Sequence, residues 1–167
     1  PTNVMGTSKL MGERHVTAAN ALREKRTGVF ASTRFGNVLG SRGSVLPTFV
    51  RQIKQGAAIT VTDETMTRFV MTPREAVRLL LDSALLAVGG EVLVTKMPTM
   101  RIADLARATV DIVAPRVGRA PEAVEIKLIG ARPGEKIYEE LMTEEEVRRA
   151  VELPDYFVVL PAFRSVY

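Results

Sequence analysis

Apolar positions along this chain repeat with one of two periods, and the switches between them mark out the elements. Leu10, Val16, Ala19 and Leu22 fall near helical spacing, with Lys9, Glu13, Arg14, Arg23, Glu24 and Lys25 between them. This predicts a helix over Val4–Arg26, with Asn3 as its cap, Pro1 just outside and Gly28 as the stop signal. The β-prone run Gly28–Thr33 predicts a strand. An amphipathic run over Val45–Lys54, carrying Phe49, Val50 and Ile53, predicts a second helix that Gly56 ends. Short strands are expected at Ala58–Val61 and Arg68–Met71, on either side of a polar turn at Asp63–Thr67.

Thr72, Pro73 and Glu75 then form a capping-box signature. The helix it opens should reach about Val88 and bury Ala76, Leu79, Leu80, Ser83, Ala84 and Ala87. Gly89-Gly90 turns the chain into a strand at Glu91–Thr95. A further helix is expected over Arg101–Ala114, with Ile102, Leu105, Ala106, Thr109 and Ile112 on one face. After a linker at Pro115–Pro121, the pattern predicts a strand at Val124–Ile129, a helix at Glu135–Met142, a capped helix from Thr143, and a strand at Tyr156–Leu160. Strands and helices alternate, so the class is α/β, with a largely parallel sheet and a more irregular C-terminal part.

Composition narrows the chemistry. The chain has 167 residues, one histidine and no cysteine, so disulfides, thiolate metal sites and multi-histidine metal sites are excluded. No apolar run is long enough to span a bilayer, and no signal peptide is seen. The formal charge of +4 suits an anionic ligand such as a nucleotide. The basic residues are scattered and aromatics are few, so a nucleic-acid face ranks lower. The chain opens on Pro1, almost directly into a helix, and is expected to be a piece of a longer protein.

Two loops carry the candidate chemistry. Arg34–Pro47 lies between a predicted strand and a predicted helix and holds three glycines, two serines, one asparagine and two arginines. Glycine lets backbone N–H groups approach a ligand, a helix start adds unsatisfied donors, and arginine offers a planar fork for phosphate oxygens. Together these describe an anion site. The second loop, Arg132-Pro133-Gly134-Glu135-Lys136, repeats the logic, and Glu135 could accept bonds from the vicinal hydroxyls of a ribose. Arg68 is a third candidate phosphate partner. Each feature also has a plain structural reading, as a turn glycine, a helix-start acid or a solvated arginine. His15, mid-helix and without a second metal ligand near it, reads as structural.

Several longer motifs recur in a recognisable order. They are Pro1–Lys9, Arg34–Pro47, Ile59–Asp63, Met66–Phe69, Gly90–Val92 and Arg132–Leu141. In this order the chain resembles the extended short-chain dehydrogenase/reductases. More narrowly, it resembles the nucleotide-sugar 4,6-dehydratases of polysaccharide biosynthesis, the CapD-like group. The resemblance implies that residues 1–167 are the C-terminal part of an NAD(P)-binding Rossmann-like fold with its substrate-binding lobe, the N-terminal dinucleotide-binding part being absent.

The resemblance also implies roles. Lys9 would be the lysine of the Tyr-x-x-x-Lys pair and bind the nicotinamide ribose, with Arg34 and Phe35 also on the cofactor side. Asn37, Arg42 and Ser44 would contact the diphosphate and sugar, and Val45 and Pro47 the uracil. Thr60 would lie near the nucleotide, Arg68 and Arg132 would hold the diphosphate, and Glu135 the uridine ribose. The implied substrate is a UDP-N-acetylhexosamine, foremost UDP-N-acetylglucosamine, and the cofactor NAD or NADP. No metal is implied. A homo-oligomer and a cytoplasmic location are expected, with membrane association of the parent left open.

Two departures matter. Met5 stands at the family's tyrosine position, as in a known subgroup, and a thioether exchanges no proton. The glycine-rich turn that cradles the cofactor pyrophosphate is not in this sequence. A non-catalytic UDP-sugar-binding module and a nucleotide-sugar epimerase are the alternatives.

Overall fold

In the computed structural model, which describes residues 3–23, 28–131 and 133–162, the elements follow one another as strands and helices. They are α1 (Val4–Leu22), β1 (Ser32–Arg34), β2 (Asn37–Val38), α2 (Val45–Lys54), β3 (Ile59–Val61), β4 (Thr67–Met71), α3 (Pro73–Leu86) and β5 (Val92–Thr95). Then come β6 (Thr99–Arg101), α4 (Ile102–Val113), β7 (Ile126–Leu128), α5 (Glu144–Arg148), β8 (Ala150–Glu152) and β9 (Tyr156–Val159). Two units are assembled from interleaved stretches. Unit 1 takes Pro1–Phe35, Pro73–Lys96 and Glu140–Tyr167, and unit 2 takes Gly36–Thr72 and Met97–Glu139.

Unit 1 is built on a four-stranded sheet in the order β1-β5-β9-β8. β1 and β5 run parallel with Ser32 opposite Val92, and β9 pairs antiparallel with both β5 and β8. The two-residue period of a strand sends alternate side chains of β5 to opposite faces. Leu93 packs with Leu79 of α3 and with Tyr156, whereas Val92 and Val94 cluster with Val159. The Tyr156 hydroxyl donates to the Asp82 carboxylate on α3. Burial, aided by that carboxylate, pushes the Tyr156 phenol up to about 12. Asn3 caps α1 as expected, its Oδ1 accepting from the Gly6 N–H at 2.8 Å. Asn20, near the other end, accepts from the Phe30 N–H at 3.1 Å and so ties α1 to the chain entering β1.

Unit 2 packs α2 and α4 over two small sheets. β3 and β7 pair in parallel, with Ile59 opposite Ile126. β4 lies between β2, which is parallel to it, and β6, which is antiparallel. Phe49 and Ile53 of α2 meet Ile102, Ala106 and Val110 of α4 and Ile59 and Val61 of β3 in one buried core. The spacing of these positions on each helix places them on one face, and burying that face is the main stabilising term for elements this short.

Several expectations are corrected. Among the described residues three strand pairings are parallel and three antiparallel, so the sheets are mixed rather than largely parallel, because β9 runs against β5 and β8, and β6 against β4. The first helix ends at Leu22, and the first strand begins at Ser32. No helix forms over Glu135–Met142. There the Ile137 carbonyl accepts from the Thr67 N–H at 2.9 Å and from Arg68 Nη1 at 3.2 Å, so β4 takes the acceptor that a helix would have used internally. On α3 only Leu79 and Ser83 are fully buried, while Leu80 and Ala84 are exposed. Ile112 of α4 is exposed too, and Val110 takes the core position.

Candidate functional site

Unit 2 contains a cavity of about 240 Å³. Asn37, Ser44, Val45, Arg68 and Glu135 line it together with the apolar side chains of Met66, Val70, Ile102 and Leu105. Its polar side chains are held from below by the β2–β4 pair. Asn37 sits opposite Val70, and its Nδ2 donates to the Phe69 carbonyl at 3.1 Å and to Glu139 Oε2 at 3.1 Å. The preceding residue must be glycine. A Cβ on Gly36 would lie 2.5 Å from Met97 Sδ and 2.9 Å from the Phe69 carbonyl oxygen, and the latter is backbone and cannot yield.

The loop then turns over Ser41-Arg42-Gly43 into α2. Gly43 has φ of 79°, a left-handed conformation that glycine adopts without steric cost. Ser44 occupies the N-cap with extended backbone, yet its hydroxyl caps nothing. Its Oγ is buried and has no hydrogen-bond partner among the described residues. A buried unpaired hydroxyl costs roughly 1–3 kcal/mol unless something pairs with it. It stands at a helix N-terminus and lines the cavity, where such a hydroxyl can pair with an oxygen-bearing group.

Arg68 supplies the cavity's positive charge. Its side chain is 13% exposed, and Nη1 donates to the Thr67 and Ile137 carbonyls at 2.7 and 3.2 Å. Nε lies 3.5 Å from Glu139 Oε1, and Nη2 has no hydrogen bond among the described residues. The guanidinium is therefore oriented by backbone but keeps a free edge of donors, the geometry suited to a phosphate.

Other expected residues lie apart from this cavity. Arg42, on the same loop, and Pro47, in the first turn of α2, are exposed and do not line it. Thr60 is paired with Gln52, accepting from Nε2 at 2.9 Å and donating its backbone N–H to Oε1 at 3.3 Å, so its polar groups serve α2–β3 packing. Arg132 lies outside the described residues. Glu139 was not singled out by sequence, because its contacts to Asn37 and Arg68 span most of the chain and leave no local pattern.

The residues expected at the catalytic position, Met5 and Lys9, and on the cofactor side, Lys9, Arg34 and Phe35, all fall in unit 1. Met5 and Lys9 stand one turn apart on α1, both exposed, and Phe35 is exposed beyond β1. The Lys9 ammonium has no ion pair or hydrogen bond among the described residues, so its donors are open to a hydroxyl-bearing ligand.

Arg34 differs from its expected role. Nε and Nη2 donate to Glu13 at 2.8 and 2.7 Å, Nη1 and Nη2 donate to Glu146 at 2.8 and 2.7 Å, and Nη1 also reaches the Leu141 carbonyl at 2.6 Å. These contacts use all five N–H donors of a guanidinium. The side chain thus clamps α1 and α5 to the end of β1 and has nothing left for a cofactor. The Glu146 carboxylate raises the Arg34 pKa above its ordinary value, with Glu13 second. In return, the Arg34 hydrogen bonds hold Glu146 down to about 2, despite burial acting against them.

A family model described as "Polysaccharide biosynthesis protein" matches residues 1–161. The chain belongs to that family. A protein of Methanocaldococcus jannaschii, named an uncharacterized membrane protein, is 52% identical over 96% of this chain and 48% of its own length. A UDP-glucose 4-epimerase of Rickettsia canadensis is 41% identical over 94% of this chain and 44% of its own. A UDP-N-acetylglucosamine 4,6-dehydratase (inverting) of Campylobacter jejuni is 35% identical over 99% of this chain and 47% of its own. The X-ray structure of Pen from Bacillus thuringiensis superposes with a TM-score of 0.92 at 44% identity, covering 98% of this chain and 50% of that one. The family's chain here has the Rossmann-like α/β fold. It spans about half the length of these relatives. Among the described residues no helix is long and apolar enough to cross a membrane.

Proposed function

We propose that this chain is the substrate-binding half of an NAD(P)-dependent UDP-N-acetylhexosamine 4,6-dehydratase that acts on UDP-N-acetylglucosamine in surface polysaccharide synthesis. The observation that carries this is the unit 2 cavity. It gathers Asn37, Ser44, Arg68 and Glu135, from three separate motifs, around one space. Arg68 offers charge for a diphosphate, Ser44 and the α2 N-terminus offer neutral donors beside it, and Glu135 offers an acceptor for ribose hydroxyls. The apolar side chains, Val45 among them, suit a base. Arg132 is assigned to the same diphosphate.

The open ammonium of Lys9 fits the nicotinamide ribose, which presents hydroxyls to it. When bound, the cofactor supplies reversible hydride storage, so that loss of water across C5–C6 leaves a 4-keto-6-deoxy sugar with no net oxidation. Lys9 orients the ribose and places positive charge near the reacting carbon. Met5 cannot take the sugar hydroxyl's proton, so the base is another group, an Asp-Lys segment upstream of this chain or a water.

A second reading, a nucleotide-sugar 4-epimerase, is favoured by the 41% identity to a protein of that name. The product distinguishes the two, because a dehydratase removes one water and an epimerase leaves the mass unchanged. Binding is tested separately, by calorimetric titration of the full-length protein with UDP. Charge-assisted hydrogen bonds contribute about 1.5–3 kcal/mol. Arg68→Ala should therefore weaken UDP by roughly ten- to a hundredfold, while Arg116→Ala, in the linker, should not. Equal effects of the two would reduce the site to a diffuse basic field.

A further inference from the structure

Glu139 touches both of the side chains on which anion binding rests. Its Oε2 accepts from Asn37 Nδ2 at 3.1 Å, and its Oε1 lies 3.5 Å from Arg68 Nε. The other amide N–H of Asn37 is committed to the Phe69 carbonyl at 3.1 Å. Asn37 therefore has no donor to offer a ligand while Glu139 is in place, since an amide carries two. At Arg68, Nη1 donates to two backbone carbonyls and Nε forms a 3.5 Å ion pair with Glu139, while Nη2 stays open among the described residues. The carboxylate thus presents two anionic oxygens to the donors that a phosphate would use.

Glu139 is the more exposed member of the pair it forms with Arg68. Its side chain is 37% exposed against 13% for Arg68, and a surface-accessible carboxylate can leave for water at small cost. The Asn37 and Arg68 side chains, by contrast, are held on β2 and β4 by backbone partners that stay when Glu139 leaves.

We propose that Glu139 is a specificity-determining residue of this site: an in-chain carboxylate that competes with the phosphates of a ligand for Asn37 and Arg68. The proposal rests on the assignment of the cavity to a UDP-sugar. It follows that the site discriminates by charge. A ligand with two phosphates brings more negative charge to Arg68 than the carboxylate it expels and gains on exchange. A neutral ligand brings no charge to exchange for the carboxylate, and a singly charged one exchanges like for like. The resident carboxylate also keeps its Asn37 donor paired when no ligand is bound.

The test is calorimetric titration of the full-length protein and its Glu139→Gln variant with UDP and with uridine. Glutamine keeps the length and an acceptor but removes the competing charge. Expected is a roughly three- to tenfold tightening for UDP, the size of one solvent-screened ion pair, with uridine unchanged. In an Arg68→Ala background the gain from Glu139→Gln should shrink to less than about twofold, since one of the contested donors is gone. UDP binding that is weakened or unchanged by Glu139→Gln would overturn the proposal and make Glu139 a support for Arg68. Should wild type and variant both bind UDP no better than uridine, the assignment of the cavity to a nucleoside diphosphate fails first, and this proposal with it.

Discussion

Glu146→Gln removes one charge from the clamp in unit 1. The carboxylate is 3% exposed and accepts from both terminal nitrogens of Arg34, at 2.8 and 2.7 Å. It also accepts from the Thr143 N–H at 2.9 Å, while Thr143 Oγ1 accepts from the Glu146 N–H at 3.2 Å. That reciprocal pair is a capping box, which glutamine satisfies as well as glutamate. The substitution therefore leaves the α5 cap in place and tests the pairing with Arg34, its charge together with the acceptor oxygen that the amide nitrogen replaces.

The magnitude follows from the titration. Arg34 draws the Glu146 carboxyl from an ordinary 4.5 to about 2. That difference corresponds to about 3 kcal/mol of folding stability at neutral pH. Glu13 still faces Arg34 in the variant, which limits the loss to the lower end of the roughly 3–5 kcal/mol typical of breaking a buried pair. For a chain of this size the melting temperature should fall by roughly 6–12 °C. The sign with pH is fixed as well. The folded-state pKa is depressed, so the contribution is complete above about 4.5 and disappears as the pH falls toward 2. Urea denaturation of both proteins, followed by circular dichroism between pH 7 and pH 3, should show a gap that is widest at pH 7 and narrows below about 4.5. Other carboxylates titrate in both proteins and cancel in the difference. A gap below about 1 kcal/mol at pH 7, or one that stays constant to pH 3, would refute the electrostatic account.

Gly36→Ala should cost roughly 1–3 kcal/mol, because the new Cβ would meet the Phe69 carbonyl oxygen at 2.9 Å. It should also weaken UDP, since Asn37 hydrogen-bonds that same carbonyl. Melting and titration of one sample check both, and an unaltered melting temperature would mean that β2 can shift to make room. On the cofactor side, Met5→Leu is close to volume-conserving and should keep most of the turnover, whereas Lys9→Ala should lose on the order of a hundredfold. Single-turnover assays of the full-length variants with UDP-N-acetylglucosamine decide this, and equal losses would give Met5 a role in positioning the sugar.

How much of this was legible in the sequence depends on whether the decisive partner was local. The α2 boundaries, the Asn3 cap and the Thr143 capping box were readable, because each rests on residues within a turn or two of one another. The helix expected over Glu135–Met142 had an equally good local signal and does not form, since its Ile137 carbonyl is taken by Thr67, seventy residues earlier in the chain. On α3 periodicity allowed a broad apolar stripe, but only Leu79 and Ser83 are fully buried, and Leu80, Leu81 and Leu85 remain exposed. Sequence gives the angular position of a residue on a helix, not the width of what covers it. In the candidate site, Asn37, Ser44, Val45, Arg68 and Glu135 were chosen through motif order and do line one cavity, whereas Glu139 lay inside a quoted motif without a role.

Arg34 and Arg68 show where motif reading stops. Both sit at the ends of short apolar runs, both belong to long motifs, and both were assigned to an anionic ligand. Their exposures are close, at 19% and 13%, so burial does not separate them. Donor accounting does. Arg34 has five N–H groups and five bonds inside unit 1, two to Glu13, two to Glu146 and one to Leu141. A ligand could win it only by breaking a charge-assisted bond already made, and the exchange would gain little. Arg68 is steered by two carbonyls, is approached by one exposed carboxylate at 3.5 Å, and keeps Nη2 open. A phosphate arriving there gains a bond without first losing an equal one. The same residue type is thus a fastener in unit 1 and a candidate binding group in unit 2, and the difference lies in the partners the fold brings to it.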